Sequence, residues 1–241
     1  MASEPLAIVT GAGHRIGKAF ALTLARNGYA ILLHYRTSEG EATEAARELR
    51  DLGAPVNLCR ADLTEQPGIA ALFSEADNTG RLLRVLVNSA GIMLAGDPLK
   101  MSAQEWDETL SLNLRAPFLC SREAASRMKQ GGLIVNVTDV GARKSWSRFP
   151  AYSVSKAGLE ALTSILARAF APTIRVNAIA PGLVLRSKAV TDEEWQRLVE
   201  RLPLKRPASV DEIASALEFL LKNEYITGQT LVVDGGYSLL G

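Results

Sequence analysis

Cysteine is scarce in this sequence: two residues, Cys59 and Cys120, in a chain of 241. They stand far apart in apolar contexts and read as buried free thiols of a reducing compartment. An excess of charge is missing too. The net charge is +1 with no basic run, so nothing favours nucleic acid or an anionic membrane as a partner. No apolar segment is long enough to span a bilayer, and the opening MASEPLAIVTG has no charged region ahead of a long apolar run. Internal repeats, low-complexity tracts and linkers are lacking as well. The expectation is a cytoplasmic protein without a metal.

What is present is a core-forming composition, 47% hydrophobic, laid out in alternation. Short apolar runs read as strands: Leu6–Thr10, Ala30–Tyr35, Val56–Leu63, Arg84–Ala90, Leu133–Thr138, Ile174–Gly182 and Thr230–Gly236. Runs this apolar suit strands covered on both faces. Helical signals fall between them, at Ile16–Asn27, Gly40–Leu52, Pro67–Thr79, Ala103–Lys129, Tyr152–Phe170 and Val210–Lys222. Asn27–Gly28 suits a left-handed stop to the first helix. The pattern predicts one α/β domain over 1–241, a doubly wound, mostly parallel seven-stranded sheet flanked by helices. The segment 183–209 breaks the alternation with amphipathic helix and no strand. It lies beyond the carboxyl end of a strand, where a lid over a ligand is plausible and simple cover for the sheet edge is the alternative.

Four stretches carry chemistry. A strand, then TGAGHRIG, then a helix is the context of a dinucleotide turn. Gly11 and Gly13 allow the tight turn, Gly17 allows close helix packing, and the helix N-terminus offers N–H groups to a pyrophosphate. Arg15 among these glycines is unexpected. At the end of the second strand, where a carboxylate would grip the ribose of NAD, Arg36, Thr37 and Ser38 offer a guanidinium and two hydroxyls suited to a 2′-phosphate. His34 beside them reads as a packed strand residue. The stretches NSAG (Asn88–Gly91) and ADL (Ala61–Leu63) end strands where loops would meet adenine and ribose. Last, Tyr152 and Lys156 share a helix face. A lysine cation beside a phenol is expected to lower its pKa, so that the phenol can pass a proton to a carbonyl or imine as hydride arrives.

In this order TG…G, NSAG, YSVSK, IRVNAIAPG and ITGQTLVVDGG resemble the short-chain dehydrogenase/reductase family from end to end. The resemblance implies a single-domain Rossmann fold, usually tetrameric, with catalytic Asn, Ser, Tyr and Lys. Asn113, Tyr152 and Lys156 match three of these. The serine position is Asp139, preceded by Thr138. The family pattern also implies cofactor contacts from Ile16, Tyr35, Asp62, Leu63, Ala90, Thr138, Pro181 and Gly182, besides Gly11, Arg15, Gly17, Asn88, Gly91, Tyr152 and Lys156.

Arginine in the glycine turn and aspartate at the serine position together resemble the pteridine reductases and dihydromonapterin reductases. That subgroup implies a small-molecule pterin or dihydrofolate-type substrate, NADPH as reductant, and Arg15, Asp139 and Tyr152 at the substrate with Leu183 beside it. Its members stack an aromatic residue on the pterin just after the NSAG region. Here that position is Met93, whose sulfur can lie on a ring less specifically; Trp146 or Phe149 are alternatives. A 3-oxoacyl-carrier-protein reductase is the rival reading and would call for serine at 139 and glycine at 15. A noncatalytic NADP sensor would be expected to have lost Tyr152 or Lys156.

Overall fold

Strand β1 (Leu6–Val9) shows why the apolar runs do not alternate with polar residues. Ala7 and Val9 enter one hydrophobic cluster, Leu6 and Ile8 a second one on the opposite face, and all four are at most 1% exposed. Successive strand side chains point to opposite faces, so a strand buried on both must be apolar throughout. The coordinates, a computed structural model, describe residues 4–144, 146–186 and 190–240.

The remaining strands are β2 (Ala30–Tyr35), β3 (Val56–Arg60), β4 (Leu83–Asn88), β5 (Gly132–Val137), β6 (Ile174–Pro181) and β7 (Thr230–Val233). They form one seven-stranded sheet in the order β3-β2-β1-β4-β5-β6-β7. Every pairing is parallel, where the sequence predicted a mostly parallel sheet. Helices α1 (Arg15–Arg26), α2 (Glu39–Asp51) and α8 (Val210–Lys222) cover one face, with Phe20, Leu24, Leu49 and Leu217 in the first cluster. Helices α3 (Gln66–Asn78), α5 (Ala116–Arg127) and α6 (Pro150–Phe170) cover the other, with Phe73, Cys120 and Leu166 in the second. Removing one such leucine to alanine costs about 2–5 kcal/mol.

The predicted single helix over 103–129 is two helices. Helix α4 (Ala103–Leu110) passes through one widened π-type turn, Ser111–Arg115, into α5. Pro117 accounts for the break: it has no N–H for the carbonyl of Asn113, and its ring crowds that carbonyl. Helix α7 (Asp192–Arg201) lies in the strandless segment and starts on a capping box between Thr191 and Glu194. Residues 187–189 of that segment lie outside the described residues. Among the described residues no helix is long and apolar enough to cross a membrane, and no group of side chains could hold a metal ion. Both cysteines are free and buried, and burial pushes the Cys120 thiol up to about 12.

Candidate active site

The sheet changes direction between β1 and β4, and the crevice outside their carboxyl ends is where open α/β sheets take ligands. Two glycines make that crevice tight. Gly11 follows β1 with φ of +64°, and a Cβ there would sit 2.8 Å from Cα of Ala90, just beyond β4. A Cβ on Gly17 would meet the carbonyl oxygen of Gly11 at 2.4 Å. Arg15 adopts φ of +56°, the left-handed backbone that favours glycine. The turn is therefore a genuine glycine-type turn with an arginine where its geometry would prefer glycine. The guanidinium leaves the turn and donates from Nη2 to the carbonyl of Leu185 at 3.0 Å, in the segment after β6.

Two residues that the motifs did not single out hold this turn. His34, 2% exposed, accepts the N–H of Gly11 at Nδ1 (3.1 Å), so its proton sits on Nε2 and is donated to the carbonyl of Ala61 (3.0 Å). Burial lowers the imidazole to about 4, so it stays neutral. Thr10 accepts the N–H groups of both Ser89 and Ala90, each at 3.0 Å, and so joins the first turn to the fourth. No local pattern marks such partners, which meet only in three dimensions.

The surroundings fit a dinucleotide. Helix α1 has no side-chain cap and no acidic residue in its first turn, which leaves its N-terminal dipole available to an anion. Beyond β2, Arg36 pairs with Asp62 at 3.5 Å, both side chains nearly half exposed. Ser38 lies against the glycine turn, since a Cβ on Gly13 would meet its Oγ at 2.9 Å. Asp62 itself is held below the usual carboxylate range, chiefly by the hydroxyl of Thr64. Tyr35, Leu63 and Pro181 are buried, while Thr37 is exposed and Ile16 half-buried. A Cβ on Gly182 would strike Cα of Asp234 at 2.7 Å, so the chain leaves β6 pressed against the end of β7.

Two expected cofactor side chains are occupied elsewhere. Asn88 points into the sheet interior and donates to Asn136 (2.8 Å) and Ser121 (3.2 Å), leaving the backbone beyond it to face the crevice. The hydroxyl of Thr138 donates to the carbonyl of Ile179 (3.2 Å). A strand buried on both faces gives no sequence sign of which way a polar residue points.

Asn113 sits on the widened turn and pins the loop after β4. Its Oδ1 accepts the N–H of Ile92 (2.9 Å), and its Nδ2 donates to the carbonyl of Ile92 (2.8 Å) and to Oγ of Ser155 (3.1 Å). Gly91 lies between Asn113 and Lys156: a Cβ there would be 3.1 Å from Oδ1 of the first and 3.6 Å from Nζ of the second.

Asp139, Tyr152 and Lys156 come together. The Tyr152 hydroxyl donates to Oδ2 of Asp139 at 2.9 Å, while Oδ1 accepts the N–H of Gly141 at 2.6 Å. Lys156 donates to the carbonyl of Val137 at 2.7 Å, with its Nζ 5.7 Å from the centre of the Tyr152 ring. The expected lowering of the phenol pKa is not what this arrangement produces. Burial and the adjoining Asp139 charge hold Tyr152 well above the ordinary phenol value, so it is firmly protonated. Burial likewise raises Asp139, against the opposing pull of Gly141, Tyr152 and Lys156, and brings Lys156 down to about 8.

Of the three candidates for a ring contact, Met93 is 36% exposed on the loop after Gly91. Trp146 lies against Gly141, with ring neighbours Phe149 (6.3 Å) and Tyr237 (6.2 Å). Leu183 is half-buried, and its carbonyl accepts the N–H of Ala208 (2.9 Å).

Comparison with known proteins identifies the family. A family model described as enoyl-(acyl carrier protein) reductase matches residues 11–238. The 3-oxoacyl-[acyl-carrier-protein] reductase FabG of Staphylococcus epidermidis is 33% identical over 95% of this chain and 97% of its own. Among solved structures, FolM alternative dihydrofolate reductase 1 from Brucella suis in complex with NADP superposes with a TM-score of 0.93 at 32% identity, covering 100% of this chain and 98% of that one. The Brucella canis FolM complexed with NADP gives the same TM-score and identity over 100% of this chain and 96% of its own. The chain belongs to the short-chain dehydrogenase/reductase family of oxidoreductases.

Proposed function

We propose that this protein is an NADPH-dependent reductase of a reduced pterin or dihydrofolate-type ring, with Tyr152 as proton donor. The observation that carries the reading is the hydrogen bond from Tyr152 to Asp139 at 2.9 Å, where the family pattern has serine. In that arrangement the phenol proton points at a carboxylate and not at a substrate. A substrate N–H that takes over Oδ2 of Asp139 frees the Tyr152 proton for the reacting atom. A pterin has such N–H groups and an exocyclic amine, and Arg15 supplies a planar donor fork for its acceptors. A 3-oxoacyl chain has no N–H to offer and leaves the carboxylate holding the phenol.

NADPH, when bound, supplies the hydride. The shape of the crevice supports the following roles for its residues. The uncapped α1 N-terminus and the glycine turn take the pyrophosphate, Arg36 with Thr37 and Ser38 the 2′-phosphate, and Lys156 the nicotinamide ribose. Asn113 fixes the Ile92 backbone and the start of α6, and so keeps Tyr152 and Lys156 in register. The FolM neighbours were solved with NADP, which supports this choice of cofactor.

The rival reading, a 3-oxoacyl-carrier-protein reductase, is favoured by the FabG relative at 33% identity. Against it stand Asp139 and the strained Arg15. A panel of dihydropterin, dihydrofolate, quinone and acetoacetyl substrates with NADPH separates the two. The dihydropterin or dihydrofolate kcat/KM is expected to exceed the acetoacetyl value by at least about tenfold. Brisk ketone reduction without dihydropterin or dihydrofolate turnover contradicts the proposal.

A homotetramer in the cytoplasm is part of the same reading. A groove of about 620 Å3 beside α4, α5 and α6, lined by Leu110, Leu114, Phe118, Leu162 and Ile165, offers apolar surface for a second copy. Light scattering on the eluted protein tests it, and a monomer at micromolar concentration would refute it.

A further inference from the structure

We propose that His34 is a positioning residue for the cofactor, bracing the turn that receives the pyrophosphate against the loop that receives the adenosine. The inference rests on the dinucleotide reading above and adds the group that sets the geometry of both contacts.

Strand β2 lies between β1 and β3 in the sheet. A side chain near its carboxyl end can therefore reach the turn after β1 on one side and the loop after β3 on the other. His34 does both. Its Nδ1 accepts the N–H of Gly11 at 3.1 Å, and its Nε2 donates to the carbonyl of Ala61 at 3.0 Å. Its backbone carbonyl also accepts the N–H of Ala12, at 2.9 Å. One residue thus takes the first two N–H groups of the glycine turn. Those of Gly13 and His14 have no hydrogen-bond partner among the described residues, and they are left for an anion at the start of α1.

The adenosine side is held as firmly. Asp62, next to Ala61, accepts the N–H of Thr64 at 2.9 Å and its hydroxyl at 2.7 Å, and Arg115 donates to the Thr64 carbonyl. A neutral imidazole offers an acceptor and a donor on separate edges of one rigid ring, which is what a brace between a turn N–H and a loop carbonyl requires. His34 is 2% exposed, and burial keeps it neutral, with its pKa lowered to about 4. A histidine that only filled the core would need neither bond.

The test is NADPH binding by fluorescence titration, which needs no knowledge of the substrate, in the unmutated full-length enzyme, His34→Leu and His34→Asn. Leucine removes both side-chain bonds. Asparagine keeps an acceptor close to the Nδ1 position and loses the reach to Ala61. The Kd for NADPH is expected to rise about 3- to 30-fold in His34→Leu and by less in His34→Asn, with kcat at saturating NADPH within about twofold. A merely structural histidine would lower the melting temperature and leave the Kd unchanged, and that result overturns the proposal. So does an asparagine variant that binds no better than the leucine one. If the unmutated enzyme prefers NADH, the same comparison is made with NADH, since both cofactors carry the pyrophosphate and the adenosine. An unmutated enzyme that binds neither overturns the dinucleotide reading and this inference together, whereas binding indifferent to residue 34 overturns this inference alone. A second measurement does not depend on either variant folding. The chain has two histidines, His14 and His34, so each ring can be followed in the 15N-histidine-labelled unmutated enzyme, and slow solvent exchange marks the buried one. His34 is expected as the Nε2–H tautomer, with an Nδ1 signal that shifts when NADP+ is added. The other tautomer, or a ring unmoved by saturating NADP+, overturns the brace.

Discussion

The hydroxyl of Tyr152 donates to Oδ2 of Asp139 at 2.9 Å, so the proton that the reaction needs is held by a carboxylate before substrate arrives. Replacing Tyr152 with phenylalanine removes that proton and little else. The expected outcome is loss of kcat by at least about a hundredfold, with NADPH affinity by titration within a few-fold of the unmutated enzyme. Substantial residual turnover would place the acid on Asp139 instead.

Lys156 gives the reaction an alkaline limit. Burial lowers its ammonium from the ordinary lysine value to about 8, and the Asp139 charge opposes that lowering. The cation is present below about pH 8 and is lost above it, so kcat/KM should decline on the alkaline side near there. Asp139→Asn removes the opposing charge, lowers Lys156 further and should move the alkaline limb to lower pH. A limb that moves upward would contradict this. The sign for stability follows from the same shift. Between about 8 and the ordinary lysine value the unfolded chain binds this proton and the folded chain does not, so this group makes folding more favourable as pH rises through that window.

Arg15 holds a φ of +56° that glycine would adopt at less cost. Arg15→Gly should raise stability by about 1 kcal/mol in urea unfolding, a left-handed non-glycine residue costing about 1–2 kcal/mol before glycine's own entropy is counted. The same change removes the hydrogen bond to Leu185 and the donor fork, and the KM for dihydropterin should rise. A variant that is less stable, or one with an unchanged KM, would deny the arginine its function.

Arg36 already carries a partner, Asp62, at 3.5 Å across an exposed loop. A 2′-phosphate competes with that weak surface pair and should win. Arg36→Ala is expected to erode the preference for NADPH over NADH by about 10- to 100-fold, as a charge-assisted hydrogen bond of about 1.5–3 kcal/mol implies. Equal catalytic efficiency with both cofactors in the unmutated enzyme would refute the assignment.

The inner strands were legible in the sequence because they are largely apolar and covered on both faces, and the glycine turn because its neighbours are a strand and a helix. The break at Ser111–Arg115 was not, since a widened turn has helical composition and only Pro117 hints at it. The inward aim of Asn88 was equally hidden, because a strand covered on both sides carries no alternation to read. Tyr152 and Lys156 could be paired by helical spacing, yet the direction of the tyrosine's shift could not. It depends on burial and on Asp139, which helical spacing leaves out of view. Thr10 and His34 act through partners far along the chain, and no local pattern reaches that distance.

The central claim is that Asp139 selects a ring bearing N–H groups. Its most direct test is the ratio of kcat/KM for dihydropterin to that for an acetoacetyl substrate, measured with NADPH in the unmutated enzyme and in Asp139→Ser. The account predicts a sharp fall in the ratio, by at least about tenfold, because serine cannot accept as a carboxylate does while it leaves Tyr152 free for a simple ketone. An unchanged ratio, or one that rises, would contradict it.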